Sequence, residues 1–220
     1  DRKKLFMKIL ILAPHPDDET IGMGATISKL KKDGHSIYLC VISDGSSKKS
    51  RDKKKTRIRE NDCKKVGKFL GITKVIFLGF PDTRLMEIAQ VEINSSIEDV
   101  IKKTNPDVLF IPPDNDLHTD HSKVHNCALV ASRPLTNKIK HIYSYEILGH
   151  VKTPFAPNVF VDVEKHLSKK LTAFKMYKSE QKEYPHHRSI KSIENLAIRR
   201  GVESGLKLAE GFRLIRGIDC

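Results

Sequence analysis

The sequence predicts an α/β fold, in which a Rossmann-like, mostly parallel sheet carries helices on both faces and a metal site at the carboxyl ends of its strands. Apolar runs of strand length alternate with longer helical segments, and the loops between them are short. Two clusters of histidine and aspartate each come directly after an apolar run. With 220 residues, 39% of them hydrophobic, the chain is expected to form one domain over residues 1–220.

The first 132 residues contain four predicted strands, each followed by a predicted helix. Asp33 and Gly34 end the first helix as a C-cap, and Gly71 ends the second. The strands are predicted at Lys8–Leu12, Ile37–Ile42, Lys74–Leu78 and Asp107–Ile111, and the helices at Thr20–Lys32, Thr56–Leu70, Ile88–Lys103 and Ser122–Ser132.

The pattern is less regular after the fourth helix. Further strands are predicted at His141–Ile147 and Asn158–Val163, and a helix from Val163 or Glu164 to Tyr177. The polar segment 179–192 is compatible with either a lid or an oligomer contact. Its His186-His187 pair is interpreted as solvated, because neighbouring side chains in a strand point to opposite faces and loop histidines usually face water.

The first cluster follows the first strand, where the chain reads Ala-Pro-His-Pro-Asp-Asp-Glu up to Glu19. An imidazole nitrogen of His15 and one carboxylate oxygen are ligands that catalytic zinc uses, and a second carboxylate then remains to move protons. The alternative is an acidic turn, in which Asp17, Asp18 and Glu19 cap the amide groups of a helix start.

The second cluster is His118-Thr-Asp-His121, after the fourth strand. Either histidine could supply a further metal ligand, and the other could then act as an acid or as a donor to a developing oxyanion. His121 and His125 have the i, i+4 spacing of a zinc-protease helix. Because the glutamate of that motif is missing, His125 is interpreted as an ordinary helix histidine.

With these two motifs the chain resembles the LmbE/PIG-L family of zinc-dependent N-acetylglucosaminyl de-N-acetylases. Ser43-Asp44-Gly45, Arg59 and Ala209-Glu210-Gly211-Phe212 support the resemblance. It implies a hydrolase that removes the acetyl group from an N-acetylglucosamine-type sugar. The family roles that it implies are His15, Asp18 and His121 as zinc ligands, Asp17 as general base for a metal-activated water, His118 as assistant at the tetrahedral intermediate, Asp120 as the carboxylate that tunes a neighbouring histidine, and Arg59 as a substrate-site arginine.

Two residues are candidates for substrate binding. Arg59 matches the family arginine, but the stretch Lys48–Arg59 also contains Arg51 and Arg57 and equally suits a solvated basic loop. Asp82 follows the third strand and should reach the carboxyl edge of the sheet, although an aspartate after proline is often only a turn residue.

The expected cofactor is Zn²⁺, although two nitrogens and one carboxylate also suit other divalent ions such as iron or cobalt. The expected partner is an N-acetylated amino sugar, whether free, in a disaccharide, or joined to inositol, a nucleotide or a lipid. The residues themselves do not decide among these substrates.

The net charge of +13 at pH 7 is the main argument for another function, namely a non-catalytic nucleotide- or nucleic-acid-binding α/β domain. The lysines are spread along the whole chain without interleaved aromatic residues, and tryptophan is absent. We therefore predict a generally basic surface and no dedicated nucleic-acid site. A dinucleotide-binding loop has three glycines directly after the first strand. Gly22 and Gly24 lie too far into the first helix, and the third glycine of the motif is missing.

Cysteine content and hydropathy indicate a cytoplasmic protein. Four cysteines lie far apart with no metal-binding spacing, and they are predicted to be buried thiols in a reducing compartment: Cys40, Cys63, Cys127 and Cys220. No apolar run approaches the ~18 residues of a membrane span. The basic N-terminal residues are interpreted as a leader to the first strand and not as a signal peptide.

Overall fold

The computed structural model describes residues 6–46, 53–149 and 151–219. The predicted leader, Arg51 and Cys220 lie outside these ranges. The described elements are β1 (Lys8–Ala13), α1 (Asp18–Lys32), β2 (Ser36–Ser43), α2 (Lys53–Leu70), β3 (Lys74–Phe80), a 3₁₀ turn (Leu85–Glu87), α3 (Gln90–Thr104), β4 (Val108–Ile111), α4 (Thr119–Ala131), β5 (His141–Tyr145), β6 (Val159–Asp162), α5 (Leu167–Lys175), α6 (Ile190–Ser204) and β7 (Ala209–Gly217).

Seven strands form one sheet in the order β3-β2-β1-β4-β5-β7-β6. The first five strands of this order pair in parallel, whereas β7 runs antiparallel to both β5 and β6. The predicted mostly parallel α/β sheet is therefore confirmed. The sequence patterns did not predict α6 or β7, and β7 joins the sheet between two strands that precede it in the chain.

Helices cover both faces of the sheet, and β1 shows why. Its alternate residues point to opposite faces. Ile9 and Ile11 belong to a core that includes residues of α1, α2, α5 and α6, whereas Leu10 and Leu12 belong to a second core that includes residues of α3 and α4. A strand that is buried on both faces needs apolar residues at every position, which explains the continuous apolar run.

Three helices begin earlier than predicted, among them α2, which starts at Lys53 and not at Thr56. Helix α1 starts at Asp18 and not at Thr20, and α4 starts at Thr119 and not at Ser122. Asp18 and His121 therefore lie in the first turns of their helices. The side chains are held on a rigid scaffold directly after β1 and β4.

A buried ion cluster lies beside the middle of α1. The helix has a non-helical residue at Met23, and the backbone amides of Ala25 and Thr26 donate to the carboxylate of Glu210 at 3.2 and 2.7 Å. Lys170 Nζ donates to Glu210 Oε1 at 2.6 Å. The second pair of the cluster joins Arg200 Nη2 to Glu146 Oε1, also at 2.6 Å. All four charged side chains are buried, and each has an oppositely charged partner.

Three of the four predicted buried thiols are confirmed. Cys40, Cys63 and Cys127 are buried free cysteines. Burial raises the pKa of Cys40 to about 12, so its thiol stays protonated and behaves as a small apolar side chain.

Candidate metal centre and active site

The two histidine motifs meet at the carboxyl edge of the sheet because β1 and β4 are neighbours in it. The order of the strands reverses between them: β2 and β3 extend the sheet beyond β1, and β5 extends it beyond β4. Open α/β sheets form their ligand sites at such a switch point. The segment after β1 contributes His15 to Asp18, and the segment after β4 contributes residues 116–121.

His15, Asp18 and His121 form a compact group that we call the metal corner. One potential ligand atom from each lies within 4.8 Å of the other two. Asp18 Oδ2 is 3.1 Å from His15 Nδ1 and 3.5 Å from His121 Nε2. Burial would raise the pKa of Asp18, but the neighbouring His121, the contact with His15 and the charge of Arg188 outweigh it and hold that pKa below its usual range. Two imidazoles and one ionised carboxylate therefore face a common point.

A second layer of carboxylates orients both imidazoles. Asp120 Oδ2 lies 3.1 Å from His15 Nε2, and Asp116 Oδ2 lies 2.8 Å from His121 Nδ1. A carboxylate beside one ring nitrogen keeps the proton there and leaves the other nitrogen as a free electron pair. Asp120 was expected to tune a neighbouring histidine, and the ring that it contacts belongs to His15.

In the described structure, the metal corner contains buried acceptor atoms without hydrogen-bond donors, which is what a divalent cation needs as ligands. His15 Nδ1 and His121 Nε2 both face the Asp18 carboxylate, at 3.1 and 3.5 Å. Within the described residues, His121 Nε2 and Asp18 Oδ1 are buried without a hydrogen-bond partner. Converging acceptors that lack a donor are costly when buried, and a cation removes that cost.

A second possible metal group, made of His15, His118 and Asp120, fits less well. The Asp120 carboxylate already accepts from the backbone amides of Thr83 at 2.8 Å and Leu85 at 3.2 Å. A cation at that group would compete with these donors. The hydrogen bonds that Asp120 already accepts therefore favour the metal corner as the ion site.

Asp17 is a buried carboxylate without a hydrogen bond to either oxygen among the described residues. Arg188 Nη1 and Arg59 Nη2 approach its oxygens at 3.6 and 3.7 Å. Burial raises the pKa of Asp17 to about 7, although both arginines oppose that rise. Its side chain makes no capping bond to α1, so the acidic-turn alternative does not account for this residue.

His118 lies against the metal corner and opens to a cavity of about 420 Å³. Its ring centroid is 4.6 Å from that of His15 and 4.8 Å from that of His121. Burial, together with the charges of those two histidines, lowers the pKa of His118. The cavity is also lined by Asp18, His121 and Arg188, and on its apolar side by Ile21, Leu117, Ile147 and Leu148.

Arg59 and Asp82 both reach the site, but their groups are engaged with protein atoms. Arg59 donates to the backbone carbonyls of Pro16 at 3.0 Å and Gly45 at 3.1 Å. Asp82 Oδ1 lies 3.1 Å from His15 Nε2, and its other oxygen is 3.7 Å from Arg59. These contacts support the loop that carries Asp17.

Three residues of the site were missed by sequence reasoning. Asp116 lies within the polar stretch before His118, and a carboxylate so close to a candidate ligand could have been tested as its partner. Glu180 and Arg188 pair at 2.6 Å in the segment after α5. No local pattern connects that segment to β1 or β4, so their place at the site follows from tertiary packing alone.

The other histidines of interest lie outside the metal corner. His125 is buried, and its Nδ1 contacts the carbonyl of Pro112 at 2.8 Å, as expected of an ordinary helix histidine. His187 lines the cavity, whereas His186 Nδ1 accepts from the amide of Arg188. Over the described part of the chain, neither belongs to a potential metal group, and none of the helices has the length and apolar character of a membrane span.

Comparison with known proteins gives three consistent similarities. The family model described as "GlcNAc-PI de-N-acetylase" (PIG-L) matches residues 10–132, which include both histidine motifs. A diacetylchitobiose deacetylase of Thermococcus kodakarensis is 29% identical over 228 residues, which cover 96% of this chain and 84% of the relative. An Escherichia coli protein described as an uncharacterized deacetylase is 33% identical over 185 residues, with 78% and 90% covered.

The solved structures agree with this similarity. The N,N'-diacetylchitobiose deacetylase of Pyrococcus horikoshii, complexed with its inhibitor, has a TM-score of 0.82 to this chain at 25% identity. The superposition covers 96% of this chain and 84% of that one. The resemblance in fold therefore extends well beyond the two motifs, to the strands and helices after residue 132.

Proposed function

The chain belongs to the PIG-L family of de-N-acetylases, and we propose that it is a zinc-dependent hydrolase that removes the N-acetyl group from an N-acetylglucosamine-type sugar or conjugate. One observation carries the proposal: the metal corner brings three potential ligand groups together, with unpaired buried atoms on His121 and Asp18, next to Asp17, a buried carboxylate with two unpaired oxygens. The alternative of a non-catalytic binding domain is not supported, because the relatives compared above are named as deacetylases.

His15, Asp18 and His121 would hold the ion. Two neutral imidazoles and one carboxylate, with a further position open to solvent, are a ligand set that catalytic zinc uses. When bound there, zinc supplies Lewis-acid chemistry, lowering the pKa of a water molecule and polarising the acetyl carbonyl. Asp116 and Asp120 keep the ligand imidazoles in the tautomers that this requires.

Asp17 serves as the general base. It takes a proton from the attacking water as that water adds to the acetyl carbon. The raised pKa of about 7 suits this task, since a carboxylate of ordinary pKa would be a weaker proton acceptor near neutrality. Its charge is balanced by Arg59 and Arg188, which approach but do not cover its oxygens.

His118 donates a hydrogen bond to the oxyanion that forms. Its lowered pKa favours the neutral imidazole, which still carries one N–H for this purpose. Collapse of the tetrahedral intermediate needs a proton on the departing amine, which either newly protonated Asp17 or His118 in its protonated form can deliver; the lowered pKa of His118 favours Asp17. Both side chains are at the metal corner, so the geometry is compatible with each route.

We propose that Arg59 and Asp82 bind the substrate, which would replace part of their contacts with protein atoms. Arg188 is a further candidate, because it lines the cavity and its side chain is 26% exposed, against 13% for Arg59. The relatives' names point to N-acetylated glucosamine compounds as the substrate class. The cavity volume of about 420 Å³ suits a substrate of sugar size.

The test is acetate release from a panel of N-acetylglucosamine, N,N'-diacetylchitobiose, and inositol- and nucleotide-linked N-acetylglucosamine. We expect acetate from at least one compound, loss of release after chelation, and recovery with added zinc. His121→Asn should abolish both zinc binding and release. His125→Asn, one turn later on the same buried helix face, is the matched control and should retain both. A protein that binds no divalent ion and releases no acetate from any compound contradicts the proposal.

A further inference from the structure

The backbone at Asp17 adopts a conformation that is rare for a residue with a side chain. Its φ is +123° and its ψ is −26°. Non-glycine residues in this range are strained, and the strain persists only where surrounding contacts impose it. The Asp17 carbonyl accepts from the amides of Thr20 and Ile21 at 3.0 and 2.9 Å, so the start of α1 fixes one side of the residue.

Glu19 fixes the other side. Its Oε2 accepts from the Asp17 amide at 3.2 Å, while its Oε1 accepts from the hydroxyls of Thr20 at 2.7 Å and Tyr177 at 2.8 Å. Glu19 is fully buried and Tyr177 is 1% exposed. Among the described residues the donors to Glu19 are neutral, and a buried carboxylate without a positively charged partner is expensive to keep. Glu19 accepts from the amide of Asp17, the strained residue, and this contact gives the buried carboxylate a role in fixing that backbone.

We infer that Glu19 and Tyr177 are positioning residues that hold the Asp17 carboxylate in place for proton transfer. This inference rests on the proposed function, because it takes Asp17 as the general base. Tyr177 follows α5, so the hydroxyl joins a helix layer that is distant in sequence to the loop after β1. The mechanism described above assigns no part to either residue.

The physical argument concerns precision. Asp17 makes no hydrogen bond through its own carboxylate within the described residues, so its side-chain direction depends on its backbone. Catalytic groups have to stay within about 0.5 Å of their working position. Loss of the Tyr177 hydroxyl frees Glu19 to turn, and the Asp17 amide then loses its acceptor and the backbone can relax.

Tyr177→Phe is the first test, measured on the zinc-loaded enzyme. We expect kcat to fall about 10-fold, less than the ~100-fold loss that a 1 Å misplacement causes, with KM and zinc content unchanged. We also expect faster hydrogen exchange of the Asp17 amide, a readout that does not depend on activity. Tyr145→Phe is the matched control: Tyr145 is also fully buried, but its hydroxyl donates to the carbonyl of Leu12. That variant should leave kcat and the Asp17 amide unchanged.

A second pair of variants separates positioning from general folding effects. In Glu19→Gln the amide oxygen can still accept from the Asp17 N–H, while the NH₂ group donates to the two hydroxyls, which can rotate to accept. Glu19→Leu has no acceptor. We expect Glu19→Gln to keep most of the wild-type kcat and Glu19→Leu to lose about 100-fold.

The outcomes distinguish the two levels of the argument. If the wild-type enzyme releases no acetate, the proposed function fails. If the wild type is active and Tyr177→Phe matches Tyr145→Phe in kcat and in exchange of the Asp17 amide, the positioning inference is wrong and the proposed function stands. A Glu19→Gln variant as inactive as Glu19→Leu would also overturn the positioning inference. The hydrogen bonds by which Glu19 holds the Asp17 amide do not need a negative charge.

Discussion

Buried charges occur in two places beside α1, and the two places differ in how the charges are satisfied. In the buried ion cluster, Lys170 and Glu210 pair at 2.6 Å, and the backbone of α1 supplies two further donors. In the metal corner and Asp17, acceptors converge without enough donors. The first arrangement is complete within the protein, whereas the second keeps acceptor atoms that a bound cation would satisfy.

This difference teaches how to separate function from structure when both involve buried polar residues. Burial alone does not distinguish them, because Asp18 is 1% exposed and Lys170 is 2% exposed. The pairing of the charged side chains does distinguish them: each one in the ion cluster has an oppositely charged partner, whereas Asp17 and Asp18 keep unpaired carboxylate oxygens. The backbone strain at Asp17 points the same way.

The largest effect is expected at Asp17. Asp17→Asn removes the proton acceptor while keeping the shape, so acetate release should fall by about 10²–10⁴-fold. The free energy of unfolding of the metal-free protein should fall by no more than about 1 kcal/mol, because Arg59 and Arg188 both keep Glu180 as a partner. Steady-state kinetics and urea unfolding measure the two quantities. A variant that stays active, or that is inactive because it unfolds, would contradict the assignment of Asp17 to function and not to structure.

The opposite result is expected in the buried ion cluster. Lys170→Met leaves the Glu210 carboxylate buried without its cation, which should lower the free energy of unfolding by about 3–5 kcal/mol. Zinc content per folded molecule should not change, because Lys170 does not contact the metal corner. The double variant Lys170→Met with Glu210→Gln removes the lone charge and should recover part of the loss. Urea unfolding and metal analysis check this, and a zinc-free but stable Lys170→Met variant would contradict it.

Sequence reasoning predicted the parts of the fold and the site that depend on local pattern. The apolar runs of β1 and β4 predict strands that are buried on both faces, and histidines directly after them must lie at the same edge of the sheet. The two motifs therefore predict a shared site even without coordinates. The starts of α1 and α4 were predicted too late, because polar residues such as Asp18 and His121 suit a loop and a first helical turn equally.

The rest of the molecule depends on contacts that no local pattern records. Strand β7 inserts between β5 and β6, and its pairing is antiparallel to both. Arg188 and Tyr177 reach the loop after β1 from more than 150 residues away in the chain. Asp120 places its carboxylate 3.1 Å from Nε2 of His15, a residue on a distant part of the chain. Each of these placements is a result of packing between distant elements.

A smaller effect is expected one layer outside the metal corner, at Asp116. Its carboxylate orients His121 and also accepts from the His118 amide at 2.8 Å. Asp116→Asn should weaken zinc binding by about 10–100-fold, since the imidazole loses a charged partner. Zinc titration followed by thermal unfolding measures this change, because an ion that binds only the folded state raises its stability. An affinity equal to that of the wild type would show that Asp116 does not tune the metal corner.

The smallest effect is expected at the amino ends of the same two strands, where Asp107 shows a satisfied carboxylate. Its oxygens accept from the Lys8 amide at 2.8 Å and pair with Lys138 Nζ at 2.9 Å. Burial would raise the pKa of Asp107, but the Lys8 amide and Lys138 outweigh it and lower the pKa below its usual value. A carboxylate with a lower pKa in the folded state stabilises the fold above the unfolded pKa, and this stabilisation disappears as the pH falls through the folded pKa.

Asp107→Asn should therefore lower the free energy of unfolding of the metal-free protein at pH 7 by about 0.5–1 kcal/mol, as for other partly exposed ion pairs. The difference from the wild type should shrink as the pH falls below about 4, since the wild-type carboxyl group is then increasingly protonated. Urea unfolding of both proteins across this range isolates Asp107, because every other titrating group is common to the two. A difference that is constant with pH would mean that the hydrogen-bond geometry, and not the charge, stabilises this end of β1 and β4. The contrast with the unpaired carboxylates at the other end would then have to be explained by shape and not by electrostatics.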